Sequence, residues 1–484
     1  MKLFVPPFFL FLLSNLSYGQ ISIVEGPLDV SQGLSYNHPQ IEVLGDGVPG
    51  VIWTHKNDYL LYFSKYDAGG FTPPVQLNPS GTEVQSYNWS GPDLAIEGNN
   101  VYVAYKGFGY ETGNVYLVKS TDNGTSWSDT VRIDNLSEGF AQYPDLAVLN
   151  DTVYVTFMDH DAGGINPQYV ITRSTDGGAS FEPEVDVTAL IGDEACDCCQ
   201  PEIVVNADYV IVFFRNNDAD IRDIKAVISY DRGETFSTWF SVDDHFWDIS
   251  SCPSTGPDAR FLSDDIVLST YRSKDGFDYF VYLNEYDISS SSAISTIKVY
   301  SESGTGSGLN YPQLSTDDGD LAIVWEELDQ SGDVFLNVSS TGLAGIDSSN
   351  SLNVSNASSS QNKPDVALKD GVVHMVYADI AAPQGVKYVK AISPILTIKD
   401  KSEIEAYRIF PNPAVDFVRI VGEGTAGLSY SITDGMGRLC QKGSLESGEK
   451  ISILGLASGL YFVRVHSGNS SDSKTLPLLI GQDR

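Results

Sequence analysis

Four cysteines stand together in the middle of this chain, at Cys196, Cys198, Cys199 and Cys252. Four sulfurs at such spacing can form two disulfides or, as thiolates, hold copper or zinc. Three pairings are open. Neighbouring residues on a strand point to opposite faces, so a Cys198–Cys199 bridge would need a strained turn. The favoured pairing is Cys196–Cys199 with Cys198–Cys252, and no metal is expected there. Cys440, far away, is expected as a buried free thiol.

Charged side chains crowd the same stretch: Arg215, Arg222, Asp223, Asp258, Arg260 and Arg272. Guanidinium pairs clamp carboxylates bidentately, so Arg215 and Arg272 suit an anionic ligand. The other four complete the candidate ligand-binding set. Glu326, Glu327 and Asp159 are the candidate catalytic carboxylates, able to act as acid, base or cation ligand. The turn from Asp218 to Asp223 could bind calcium, although its spacing is not that of an EF-hand loop. No other cofactor is expected.

The elements that must position these groups follow from a repeat. Seven segments start alike: Pro39-Gln-Ile, Pro92-Asp-Leu, Pro144-Asp-Leu, Pro201-Glu-Ile, Pro257-Asp-Ala, Pro312-Gln-Leu and Pro364-Asp-Val. Their prolines lie 52 to 57 residues apart. A regular period of this length marks stacked supersecondary units. In the second repeat, four short β-branched or aromatic runs begin at Pro92, Val101, Asn114 and Thr130, bounded by Gly, Asn or Asp. Four strands per repeat predict an all-β, seven-bladed β-propeller. The last repeat lacks a fourth run after Val386-Lys-Tyr-Val-Lys. The segment Gly26-Pro-Leu-Asp-Val-Ser resembles the fourth strands elsewhere and is expected to close the ring.

Alternating strand direction sorts the loops. The second-to-third strand turns and the crossovers between blades share one face, which collects all four clustered cysteines. Second strands end there in Thr54, Lys106, Met158, Arg215, Arg272, Glu326 and Ala378. The loops Tyr87-Asn-Trp89, Gly107-Phe-Gly-Tyr110 and Asp159-His-Asp161 add aromatics beside acids, which suits a sugar surface.

On the opposite face, one turn recurs. It reads Ser120-Thr-Asp122-Asn-Gly124-Thr-Ser-Trp127, then Ser174 through Asp176 and Gly178 to Phe181, then Ser229 through Asp231 and Gly233 to Phe236. The pattern resembles the Asp box (BNR repeat) of sialidase-like propellers. Its chemistry is structural: Asp caps its own turn, Gly supplies positive φ, and the aromatic packs between strands. Cys-Asp-Cys-Cys, Arg-Asn-Asn-x-x-x-Ile-Arg-Asp and Cys-Pro-x-x-Gly-Pro are similar to a subset of secreted sialidase-like propellers. The resemblance implies a sugar acid held by arginines. The Phe/Tyr-Arg-Ile-Pro start of true sialidases is not in this sequence.

Both ends carry addresses. Lys2, the apolar run Leu3 to Leu13 and the small-residue site at Gly19 read as a signal peptide over residues 1–19. The propeller is expected over 20–394 and a linker over 395–405. Residues 406–484 hold Pro411-Asn-Pro, Asp434-Gly-Met-Gly and Leu456-Ala-Ser-Gly-Leu-Tyr. That set resembles the C-terminal sorting domain of type IX secretion cargo in Bacteroidetes, and implies passage across the outer membrane. By itself the segment reads as a small β-sandwich.

A formal charge of −35 over 484 residues argues against nucleic acid or an anionic membrane as partner. No segment after the leader is apolar enough to span a bilayer. The expected partners are the secretion machinery and an extracellular glycan. The expected function is carbohydrate binding or adhesion outside the cell. A glycoside hydrolase of exo-sialidase type is the alternative, and a non-catalytic surface protein the second.

Overall fold

The computed structural model describes residues 21–396 and 408–480, apart from short stretches at 35–36, 56, 88, 110–112, 137–138, 162–165, 301–307, 328–331, 356–359, 381–383, 411–413, 422–428, 435–437, 445–449 and 467–472. The signal-peptide reading, nearly all of the linker, Tyr110 and the Pro-Asn-Pro motif lie outside the described residues. The chain falls into two compact units, Met1–Thr397 and Ile398–Arg484. The described elements are β-strands and two 3-10 turns.

The N-terminal unit consists of antiparallel sheets, one per repeat. In the third, Phe140–Leu149, Thr152–His160, Gln168–Ser174 and Val185–Asp186 pair in chain order from one edge to the other. Second strands such as Asn100–Gly107 are buried along almost their whole length. The sheets are covered on both faces, so a central strand reads as a continuous apolar run. Val101, Val103 and Tyr105 pack with Ile52 and Phe63 of the preceding sheet. Tyr102 and Ala104 face the following one, among Ala141, Val153 and Val155.

The last sheet joins both ends of the unit. Gln361–Lys369, Val372–Asp379 and Gly385–Ile392 take Ser22–Asp29 as their fourth strand. Leu28 pairs with Tyr388 and Asp29 with Lys387. Val30 N–H continues the ladder to Val386 O at 2.9 Å.

The repeated Pro-acid-apolar motif now has a physical meaning. Asp93 Oδ2 accepts the N–H of Leu146 at 2.8 Å, in the motif of the next repeat. Asp145 takes Ile203 N–H at 2.7 Å, and Asp258 takes that of Leu314. Asp365 takes Ile41 N–H at 2.7 Å, so the last motif reaches the first. Each carboxylate satisfies a buried amide of its neighbour, an interaction that is costly to remove on one side only. Asp365→Ala is expected to cost about 1–3 kcal/mol. A lower urea midpoint at unchanged m-value checks this.

The three Asp turns repeat one bond set. Asp122 accepts from Ser126 N at 2.8 Å and Ser126 Oγ at 2.6 Å, while Ser120 Oγ takes Gly124 N–H at 2.9 Å. Asp176 and Asp231 do the same with Ser180 and Thr235. Gly124 has φ of 75°, and a Cβ there would strike the Phe63 ring at 2.3 Å. Phe63 in turn stacks edge-on with Trp127, centroids 5.0 Å apart.

The C-terminal unit is two antiparallel sheets around Val418, Ile420, Ile432, Ile451, Val463 and Leu478. Its single cysteine corrects an expectation: Cys440 is free but exposed. It sits on the strand Leu439–Ser444, whose described side chains are exposed or half-exposed.

Candidate functional site

Four of the second-strand positions occupy equivalent places. Thr54 faces Asn37, Met158 faces Gln142, Glu326 faces Asn310, and Ala378 faces Asn362. Each of those amides is followed by one residue and then the repeat proline. That middle residue is His38, Tyr143, Tyr311 or Lys363, with φ of 49°, 59°, 43° and 50°. Each forms a bulge where the ladder register shifts. A bulky residue before proline in this region is strained by about 1–3 kcal/mol, and such strain gathers at functional sites. The amide-x-Pro triplet recurs in the sequence, yet nothing local announces its left-handed backbone.

Neighbours hold the bulges in place. Lys363 Nζ donates to Asn37 Oδ1 at 2.7 Å, joining the seventh repeat to the first. His38 lies so close to Gly91 that a Cβ there would meet its ring at 2.7 Å. Tyr87 stacks on Trp89 at 5.0 Å and meets Tyr143 edge-on at 5.9 Å. His38, Trp89, Gln200, Thr255, Tyr311 and Lys363 line one cavity.

The inner wall of that cavity is acidic. Glu42, Asp93, Asp145, Glu202 and Asp365 line it, with Arg260 as counter-charge. Arg260 pairs with Glu202, and with Asp258 at 2.7 Å. Burial pushes Glu42 up to about 7, and burial with neighbouring carboxylates holds Asp145 and Glu202 well above their usual range. Arg260 therefore belongs to the cavity wall, and Asp258 is its ion-pair partner.

Around the bulges at Tyr311 and Lys363 lies a mixed-charge cluster. Glu326 is buried, accepts Lys363 N–H at 3.1 Å, and is pushed up to about 7 by burial. Arg272 influences both Glu326 and Tyr311. Its guanidinium sits 4.5 Å over the Tyr279 ring and 5.8 Å from Trp247. Arg272 Nε is buried without a hydrogen-bond partner among the described residues. His38 is held down to about 3 by burial and Lys363, so it is neutral, and its Nδ1 is also unpartnered. The other carboxylates lie elsewhere. Glu327 accepts Trp325 Nε1 at 3.0 Å, and Asp159, raised to about 6 by burial, sits among Glu184, Asp161 and Asp134.

Arg215 behaves differently from Arg272. It has no exposed surface, and its three nitrogens donate to the carbonyls of Thr255, Arg222 and Arg272 at 3.1, 2.6 and 2.9 Å. Arg222 donates to Cys196 Sγ at 3.0 Å and Ile249 O at 3.2 Å. Asp223 is buried and accepts Trp247 N–H at 3.0 Å, whereas Asp218 and Asp220 are exposed. Cys198 and Cys252 form a disulfide. The expected Cys196–Cys199 bridge is not made; both are free thiols with sulfurs 3.3 Å apart.

Residues 408–478 match the secretion system C-terminal sorting domain. The chain carries a sorting tail. It is thereby directed to the cell surface or the extracellular space by type IX secretion. No helix among the described residues is long and apolar enough to cross a membrane. No curated protein matches the sequence. Among solved structures, the exported chain is similar to a protein of unknown function from Dyadobacter fermentans, at 13% identity and TM-score 0.44, covering 77% of this chain and 99% of that one. A polysaccharide lyase described as an ulvan lyase aligns at 12% identity and TM-score 0.46, over 77% and 94%. The NanB sialidase of Streptococcus pneumoniae aligns at 10% identity and TM-score 0.40, over 78% and 70%.

Proposed function

We propose that the exported N-terminal unit is a seven-bladed propeller, closed by its first strand, that binds an acidic glycan at the mouth of its cavity. The ring reading is supported by the Asp365–Ile41 hydrogen bond and the pairing of Ser22–Asp29 with Gly385–Ile392. One observation carries the ligand class. Arg272 keeps a buried donor unpartnered beside Tyr311 and Glu326. A desolvated cation with a free N–H favours a carboxylate over a neutral sugar. Trp89 and Tyr87 offer ring faces for sugar C–H surfaces.

A glycan array probed with the mature chain tests this reading. Uronate- or sialate-bearing glycans are expected to bind, and Arg272→Ala to weaken them about tenfold or more. The melting temperature should stay within a few degrees, since the Arg272 guanidinium stacks on rings and its Nε has no polar partner. Equal binding of neutral and acidic glycans, or an unaffected Arg272→Ala variant, would sink it.

Glu326 favours a second reading, cleavage of the bound glycan. A carboxyl kept protonated to about pH 7 is suited to donate a proton to a leaving oxygen. Hydrolysis of a fluorogenic glycoside by the parent chain, lost in Glu326→Gln, would establish it. No turnover across a panel of acidic glycosides leaves a binding protein.

A further inference from the structure

One oxidised and one reduced pair of cysteines share a small space beside the cavity. Cys196 Sγ lies 3.3 Å from Cys199 Sγ and 3.6 Å from Cys198 Sγ, and Cys198 is bonded to Cys252. Cys196, Cys198 and Cys199 are buried, whereas Cys252 is exposed. Arg222 aims an N–H at Cys196 Sγ from 3.0 Å, while its Nε is tied to Ile249 O. A cation on a sulfur favours the thiolate, and the thiolate is the form that attacks a disulfide. The two free thiols are not equivalent. The Cys199 hydrogen bond, with Arg215 and Arg222, holds Cys196 down to about 7, and burial pushes Cys199 well up.

We propose that these four cysteines form a thiol–disulfide exchange centre, in which Cys196 attacks Cys198 and releases Cys252 as a surface thiol. The Cys196–Cys198 bond forms as the Cys198–Cys252 bond breaks. The electron pair of the broken bond leaves on Cys252. Cys196 gives its proton to solvent and Cys252 takes one from solvent. One disulfide and two thiols stand on each side, so no external oxidant or reductant takes part. Ser254 Oγ lies 3.1 Å from Cys252 Sγ and can donate to the departing thiolate. The bridge that ties the Cys196–Cys199 crossover to the Cys252 crossover is thereby opened. Just beyond Cys252 in that second crossover, Thr255 lines the cavity and its carbonyl holds Arg215. Exchange therefore loosens a segment of the cavity wall and exposes a thiol open to modification.

Trypsin places Cys196, Cys198 and Cys199 on one peptide, residues 174–215, and Cys252 on another, 233–260. The purified full chain, never exposed to reductant, is incubated with iodoacetamide and mapped without reduction. The expected result is a growing fraction of peptide 233–260 that is separate and alkylated at Cys252, with peptide 174–215 carrying an internal disulfide. Cys196→Ser should slow that release about tenfold or more, while Cys199→Ser should leave it proceeding. Circular dichroism verifies that each variant is folded, and the parent time course stands without them. Three results overturn the proposal: two stable disulfides with no free thiol outside Cys440, equal Cys252 alkylation in Cys196→Ser, or copper or zinc bound stoichiometrically to the untreated chain.

Discussion

Replacing Arg215 by alanine is expected to lower the stability of the N-terminal unit by about 3–5 kcal/mol. The sequence placed this residue beside Arg272 as half of a ligand clamp. Its surroundings say otherwise. The guanidinium is wholly buried and donates to three carbonyls, of Thr255, Arg222 and Arg272. It also lies 5.1 Å from the centroid of the Trp247 ring. Truncation orphans three buried acceptors and leaves a void. Those carbonyls belong to three separate segments, so one side chain gathers a crossover, a turn and a strand end of the next sheet. Arg215→Lys should recover only part of the loss, because an ammonium on one stem cannot reach three diverging acceptors as a planar fork does. Urea unfolding of the three proteins decides the matter. An unchanged midpoint for Arg215→Ala, with lost glycan binding, would return the residue to the ligand clamp.

Stability should also fall as pH rises from about 5 to about 8, against the habit of acidic proteins that loosen at low pH. Glu326 and Glu42 are pushed up to about 7 by burial. In the unfolded chain each titrates near 4.3. Between those values the folded state holds protons that the unfolded state has lost. Unfolding then releases protons, and stability declines with pH through that window. For Glu326, buried almost completely, the decline amounts to about 3 kcal/mol at most. The Asp turns act oppositely. Asp122 and Asp231 are held down to about 2, chiefly by hydroxyl and amide donors at Asp122 and, despite a desolvation penalty, at Asp231. Their contribution is full above the unfolded value near 4 and is lost as pH falls toward 2. The melting temperature should therefore peak near pH 5. Glu326→Gln, which mimics the protonated acid, should match the parent at pH 5 and exceed it at pH 8. A parent melting temperature that rises steadily from pH 5 to 8 would refute this assignment.

How much of this was legible beforehand depends on the range of the interaction. The 52–57-residue period, the four short strands per repeat and the N-terminal strand that pairs with Gly385–Ile392 are all patterned along the chain. Strand pairing needs only alternation, turn residues and a missing partner, and each is written locally. The Asp turns were legible for the same reason. Asp176 binds atoms within four residues of itself, so no tertiary partner is needed to specify its geometry. A bridge from the Cys196–Cys199 crossover to Cys252 was legible because the two crossovers share a face, whereas the partner, Cys198, was only the favoured one of three open pairings.

Other assignments turned on contacts between repeats. Alternation says which face a side chain takes, but not how far it lies from the centre or what meets it there. Arg260 sits only a few residues beyond Cys252, yet it reaches the cavity wall, where Glu202 of another repeat meets it. Arg215 and Arg272 lie near the ends of the second strands of neighbouring repeats, Val210–Asn217 and Ile266–Asp275. One is saturated by carbonyls from distant segments, and the other is left with a free donor against two rings. Tyr143, Tyr311 and Lys363 take a left-handed backbone that their own residue types disfavour, and His38 takes it before a proline. That strain is tolerated only because neighbouring sheets over-determine it, as when Asn37 of the first repeat holds Lys363 of the last. The chain's own pattern determined the sheets, their order and their turns. Which charges are spent on the scaffold and which remain for a ligand was decided where the sheets meet, because burial and hydrogen-bond saturation belong to the assembled structure.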